Sequence, residues 1–209
     1  ADPGSDRIAL AAEQETNGLL TAMWDGSSWR DIAQPDGGIQ ENNSDGRAHL
    51  ALGWVGSSGV AVCAYTDTAG PSDGLDWAKW TSTAGWVDQA KNRLSNLLPL
   101  DIAEQAFAIE SFTTQNKLLL LVSDSNGDLF AATFDGTTWT GLAGGAIEGT
   151  VSSVAGTPFG IALEARPRLL LRYHPAGQES DAFSEAGSKT GAELYAFTLS
   201  PDLGGAIAV

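Results

Sequence analysis

Trp24-Asp25-Gly26-Ser27-Ser28-Trp29 is answered later in the chain by Phe134-Asp135-Gly136-Thr137-Thr138-Trp139. Each stretch carries an aromatic residue, an Asp-Gly pair, two small hydroxyl residues and a tryptophan. Asp-Gly between β-prone flanks predicts a hairpin turn, because the turn needs a positive φ that glycine supplies without steric cost. A motif that returns at a distance points to a repeat, and a repeat decides the architecture.

A looser third copy lies between them: Trp77-Ala78-Lys79-Trp80, then Thr81 to Gly85, then Trp86. Apolar stretches precede each hairpin: Arg7–Ala12, Gly59–Tyr65, Lys117–Val122 and Arg168–Tyr173. Their first apolar residues, Ile8, Val60, Leu118 and Leu169, recur about every fifty residues, the length of a propeller blade. A further strand precedes the last three, at His49–Trp54, Phe107–Phe112 and Phe159–Glu164. One unit thus reads as four antiparallel strands, A to D. The Asn17-Gly18 and Asp124-Ser125-Asn126-Gly127-Asp128 turns join B to C. The predicted fold is all-β and β-propeller-like, one repeat domain of four blade-like four-stranded units at about 1–46, 47–104, 105–157 and 158–209. In the fourth unit strand C is Glu193–Phe197, the hairpin tryptophan is missing, and Ala176–Gly191 is a polar insertion. Val87–Gln105 is the best candidate for a turn or two of helix.

The first unit has B, C and D but no A, with Ala1–Asp6 in the place of the A–B turn. The edge at Ile8, Ala9, Leu10 and Ala11 then needs a neighbour. Three readings are open: Gly205–Val209 fills the vacancy, a separate polypeptide from the same precursor donates a strand, or the edge stays open.

The composition suits one domain with a real core: 209 residues, 43% hydrophobic, 25 glycines for tight turns. No apolar run is long enough to span a membrane, and no basic-then-apolar leader opens the chain. The formal net charge of −15, from 26 acidic and 11 basic residues, opposes nucleic acid, whose affinity comes from Lys and Arg on phosphates. The same charge opposes anionic membranes and supports solubility by self-repulsion. Cys63, the only cysteine, reads as a buried, inert thiol in strand B.

Catalytic signals are weak. His49 and His174 are the only histidines, too few for a zinc site. Gly56-Ser57-Ser58-Gly59 lacks the spacing of a nucleophile elbow. Glu13, Glu110 and Glu164 are acids near strand turns, but Glu110 and Glu164 share a repeat position, which explains them without a carboxylate pair. Asp124, Asn126 and Asp128 place oxygens at alternate positions, as the start of a calcium loop does, although the same residues suit a hairpin turn. The hairpin turn is the preferred reading, so no cofactor is expected, and calcium is the one candidate. Trp24, Trp29, Trp80, Trp86 and Trp139 sit at hairpin positions, where they wedge between blades or offer stacking platforms for sugars. Asn42-Asn43-Ser44 is a glycosylation sequon at Asn42.

These motifs resemble tandem Trp-Asp-Gly-x-x-Trp β-repeats of bacterial secreted and cell-surface proteins associated with pilin-like segments. Phe107-Ala108-Ile109-Glu110, Ser57-Ser58-Gly59-Val60-Ala61-Val62 and the two hairpins carry the resemblance, and Asp2–Leu10 is similar to an internal A–B junction. It implies an extracellular or cell-surface location and a non-enzymatic structural or adhesive role. The expected form is a pilus or filament subunit that assembles with itself or with a second polypeptide donating a β-strand or pilin-like helix. The chain is also similar to fucose-binding propeller lectins, through Asn17-Gly18 to Trp29. That resemblance implies an Arg, a Glu and a Trp holding a sugar at a blade junction, with Arg7, Glu13 and Trp24 the nearest set. The carbohydrate-binding propeller is thus the alternative to the filament subunit.

Overall fold

A computed structural model of the chain describes residues 1–14, 18–39, 50–67, 74–89, 94, 97–98, 104–112, 115–124, 126–142, 145–147, 149, 159–163, 168–173 and 193–198. Side chains are described for those up to 149, apart from 74 and 104–106. The first sheet holds β1 (Ile8–Glu13), β2 (Leu19–Trp24) and β3 (Trp29–Asp36). The second holds β4 (Leu50–Trp54), β5 (Ala61–Asp67), β6 (Gly74–Thr81) and β7 (Gly85–Asp88). The third holds β8 (Glu104–Phe112), β9 (Lys117–Asp124), β10 (Leu129–Phe134) and β11 (Trp139–Gly141), and the fourth β12 (Phe159–Leu163), β13 (Arg168–Tyr173) and β14 (Glu193–Thr198). Every strand pairs antiparallel with its neighbour in sequence within its sheet. The architecture is an all-β series of stacked meanders.

The central strands form because their apolar runs supply a hydrophobic side chain to each of two faces in turn. In β5, Ala61, Cys63 and Tyr65 point into a core shared with Leu19 and Met23 of the first sheet. Val62 and Ala64 point the other way, into a core shared with Phe107, Leu118, Leu120, Phe130 and Phe134 of the third. A strand covered on both faces reads as a continuous apolar run, and β5, β9 and β10 are buried almost throughout. Cys63 lies within the first of these cores, and burial pushes its thiol up to about 12, where it is inert at neutral pH.

Strands β4, β8 and β12 lie beside one another and form the inner edge, with β4 against β8 and β8 against β12. A Cβ on Gly53 would run into Ile109 Cγ2, so glycine permits the approach of β4 to β8. The first sheet has no described strand beyond β1, and β1 itself lies against β4. Asp2 N–H donates to Arg7 O at 2.8 Å, the same closure that Val55 N–H makes to Val60 O at 2.9 Å. Asp2–Arg7 therefore has the geometry of an A–B turn. The segment Gly205–Val209 and the sequon at Asn42 lie outside the described residues.

The helical expectation for Val87–Gln105 gives way at both ends: Val87 and Asp88 belong to β7, Glu104 and Gln105 to β8. Among the described residues between them, Leu97 and Leu98 N–H both donate to Leu94 O, a single turn.

The recurring hairpins share one register. Trp24 lies opposite Trp29, Trp80 opposite Trp86, and Phe134 opposite Trp139. Gly26 (φ 99°) and Gly136 (φ 97°) take the left-handed region that the Asp-Gly pair predicts. The turns are four-residue loops closed by the aspartate. Asp25 Oδ1 accepts from Ser27 N–H at 2.9 Å, Ser27 Oγ at 2.7 Å and Ser28 N–H at 2.8 Å. Asp135 Oδ1 accepts from Thr137 and Thr138 N–H, both at 2.8 Å.

Candidate functional site

The junction between the first and second sheets gathers the most chemistry. Arg7 ends the A–B turn, and its neighbour Ile8 pairs with Trp24 on the far face of the sheet. Alternation along a strand sends adjacent side chains to opposite faces, so Arg7 turns toward the second sheet. Its guanidinium carbon lies 5.7 Å from the Trp54 ring centre and 5.3 Å from that of Trp80, within cation–π range. Asp2 holds it there: Oδ2 accepts from Arg7 Nη2 at 2.7 Å and Nε at 3.1 Å, and from Ser5 Oγ at 2.6 Å. Gly4 N–H donates to the other oxygen at 3.0 Å. Burial raises the Asp2 pKa, but the hydrogen bonds from Ser5, Gly4 and Arg7 outweigh it, and the net shift is downward. Asp2 stays ionised and the pair stays charged.

Space for the guanidinium depends on Gly59. Its φ is 73°, and a Cβ there would stand 2.8 Å from Arg7 Nη2. On the other side of the junction the bulge in β3 turns Asp31 (φ 48°) toward the second sheet, and Trp80 Nε1 donates to Asp31 Oδ2 at 2.8 Å. Arg7 Nη1 donates to no described residue, and the Arg7 side chain keeps 28% of its surface. The result is a cation held by Asp2 within reach of two indole rings that stand edge-on to each other, with Asp31 bonded to one of them and part of the Arg7 side chain open.

The structure does not bring Arg7, Glu13 and Trp24 together. Trp24 is on the opposite face of the first sheet, in an edge-on pair with Trp29 at 5.7 Å. Glu13 ends β1, roughly 20 Å along the strand from Arg7 at the usual rise per residue. Trp80 and Trp86 are buried in the core between the first and second sheets. Trp139 packs on Trp77 at 5.7 Å and Phe134 at 4.9 Å, between the second and third. Of the hairpin tryptophans Trp29 alone is exposed, at 46%. Asp124 Oδ1 accepts from Asn126 N–H at 2.9 Å and Asp128 N–H at 3.0 Å, so that carboxylate organises its own turn. Among the described residues no three His, Cys, Asp or Glu side chains converge to hold a metal ion. Ile8 and Leu10 are exposed along the free edge of β1, while Ala9 and Ala11 pack on the core.

Carboxylates also gather at the far end of the same junction. Tyr65 OH donates to Asp88 Oδ1 at 2.8 Å and lies 3.4 Å from Asp36 Oδ2. Burial first, then the bond to Asp88, raises the phenol far above its ordinary value, so it remains a neutral donor. The residues that sequence reasoning missed are Asp2, Asp31 and Trp54. Trp54 ends a strand A and was visible as an aromatic, but nothing local announced that Arg7 would reach across to it.

No protein-family model matches the chain, and no curated protein matches it. Solved structures do. One is the SapL1 lectin in complex with alpha methyl fucoside, 18% identical with a TM-score of 0.54, over 84% of this chain and 55% of that one. A second is the fungal Aleuria aurantia lectin, described as a six-bladed β-propeller, 14% identical with a TM-score of 0.49, over 91% and 53%. A third is a putative glycoside hydrolase from Parabacteroides distasonis, 14% identical with a TM-score of 0.46, over 99% and 69%. The chain thus spans about half the length of the two lectins. The likeness to the SapL1 lectin shows the class of fold: the stacked meanders are blades of a β-propeller.

Proposed function

We propose that this chain is a non-enzymatic carbohydrate-binding propeller module that takes a sugar at the junction of its first and second sheets. One observation carries the reading: the Arg7 guanidinium is held by Asp2 within cation–π range of Trp54 and Trp80, with Nη1 bonded to no described residue. Sugar hydroxyls need donors and acceptors fixed in advance, because desolvating them is costly unless each is matched. Nη1 supplies the donor, and Asp31 Oδ1 supplies an acceptor, while the Asp2 carboxylate is engaged in holding Arg7. The SapL1 lectin was solved with a fucoside, which makes α-methyl fucoside the first ligand to try.

The sequence motifs alone favoured a surface filament. The solved structures reported above are instead lectins and a putative glycoside hydrolase by description, so sugar binding takes precedence. An extracellular or cell-surface location belongs to the same proposal, because glycans are displayed there.

The test is a glycan array followed by calorimetry with α-methyl fucoside. The wild-type protein binds, and Arg7→Ala weakens binding by a factor of ten or more, as expected when a charged hydrogen-bond donor is lost. Arg7→Lys fails to restore it, because an ammonium lacks the planar fork. Absence of binding across the array overturns the reading, and release of free sugar from an aryl fucoside moves the chain to the glycosidases.

A further inference from the structure

We propose that the turn between β9 and β10 carries a self-modification site, where Asn126 loses its side-chain amide nitrogen to ring closure by the backbone nitrogen of Gly127. The proposal is independent of sugar binding, whose residues lie at the junction of the first and second sheets.

Among the described residues the asparagines are Asn116 and Asn126, and both are exposed. Their surroundings differ. Asn116 Oδ1 accepts from Ser57 N–H at 3.0 Å and from Ser57 Oγ at 2.9 Å, so its side chain is held in a contact between the second and third sheets. The next residue is Lys117, whose side chain stands beside the nitrogen that would attack. The Asn126 side-chain amide bonds to no described residue; its backbone N–H alone is engaged, by Asp124 Oδ1. The next residue is Gly127, in the left-handed region at φ 83°, and no Cβ shields its nitrogen.

The bonds that fasten this turn leave the same nitrogen the most loosely held. Asp124 N–H donates to Asp128 O at 3.0 Å, and Asp124 Oδ1 accepts from Asn126 N–H at 2.9 Å and from Asp128 N–H at 3.0 Å. Gly127 N–H donates to Asp124 O at 3.2 Å, at the long end of the hydrogen-bond range. Opening that one bond frees the nitrogen while the others keep the turn.

The step needs only water. The Gly127 nitrogen bonds to Asn126 Cγ, the Cγ–Nδ2 bond breaks, and ammonia leaves with the proton of the Gly127 amide. Water then opens the cyclic imide at either carbonyl, giving aspartate or isoaspartate. A following glycine is not sufficient. Asp25 and Asp135 also precede glycines, but each is an ionised carboxylate whose Oδ1 accepts the amides of its own loop. An anion resists a nucleophilic nitrogen, whereas Asn126 presents a neutral carbonyl carbon.

The test is incubation of the whole native chain in mildly alkaline buffer, followed by anion exchange and peptide mapping by mass spectrometry. A more acidic, later-eluting species is expected, with the new carboxylate at residue 126. It forms about tenfold or more faster than any product at Asn116, and faster as pH rises, because the attacking nitrogen must lose its proton. Asn126→Gln moves the carbonyl one carbon away and lowers the amount of this species; its exposed position leaves the fold unchanged. The other Asn-Gly pair, Asn17-Gly18, has its asparagine outside the described residues, and mapping separates the two. Equal rates at Asn126 and Asn116, conversion at Asn126 only after the chain is unfolded in denaturant, or an undiminished acidic species in Asn126→Gln overturns the proposal.

Discussion

The first and third hairpins share their letters, their register and their aspartate-closed loops, yet they have different environments. Trp139 is packed edge-on against Trp77 of the preceding sheet, and Phe134 is fully buried beside it. Trp29 packs edge-on against Trp24 of its own hairpin and is 46% exposed. The difference lies in what stands before each hairpin in the stack. A motif therefore specifies the turn and the direction in which its aromatics point, while a neighbour decides whether they become core or surface.

The comparison predicts unequal sensitivity to truncation. Phe134→Ala removes a fully buried ring and is expected to cost about 3–5 kcal/mol, read as a loss in the denaturant midpoint. A change as small as that of a surface substitution would mean that the second and third sheets do not share a core.

Acid comes next. Asp25 is held below its ordinary 3.8 by hydrogen bonds from the Ser27 hydroxyl and the Ser28 and Ser27 amides. Asp135 is lowered by the Thr138 and Thr137 amides. A depressed folded pKa contributes stability that is present above the unfolded value and lost as pH falls through the folded one. Melting temperature should hold from neutral pH to about 5 and decline below about 4. Asp135→Asn keeps a carbonyl acceptor but no charge and should flatten part of that decline; an unchanged slope would remove Asp135 from the cause.

The smallest effect belongs to the uncovered hairpin. Trp29→Ala should shift the stability of a single, unassembled chain by under about 0.5 kcal/mol, as exposed positions do. A loss near that of Phe134→Ala would show that Trp29 is covered after all.

Much of the fold was legible before any coordinates. Apolar runs between Asn-Gly and Asp-Gly turns located the strands, and the repeat gave the first unit three strands where the next two have four, as the sheets show. The site was less legible, for two physical reasons. The partners of Arg7 come from another sheet, and local sequence does not record which ring a guanidinium will reach. Asp31 depends on a bulge that displaces it toward Trp80, and bulges leave no regular spacing to read. One error was avoidable. Arg7 was grouped with Trp24, although Ile8 pairs with Trp24 and adjacent strand residues look in opposite directions. The tryptophans followed the core reading at Trp80, Trp86 and Trp139 and departed from it at Trp29, where burial depends on a neighbour that the motif does not encode.

The meeting of β4 and β8 has a protective side. An outermost strand exposes unsatisfied amides that invite a passing extended chain. Here the Trp54 amide is already engaged by the Ser111 hydroxyl at 3.1 Å, and the missing side chain at Gly53 lets the two backbones nest. At this pair of strands the vulnerable margin is turned toward its neighbour, so the contact that joins the second and third sheets also guards an edge against misassembly.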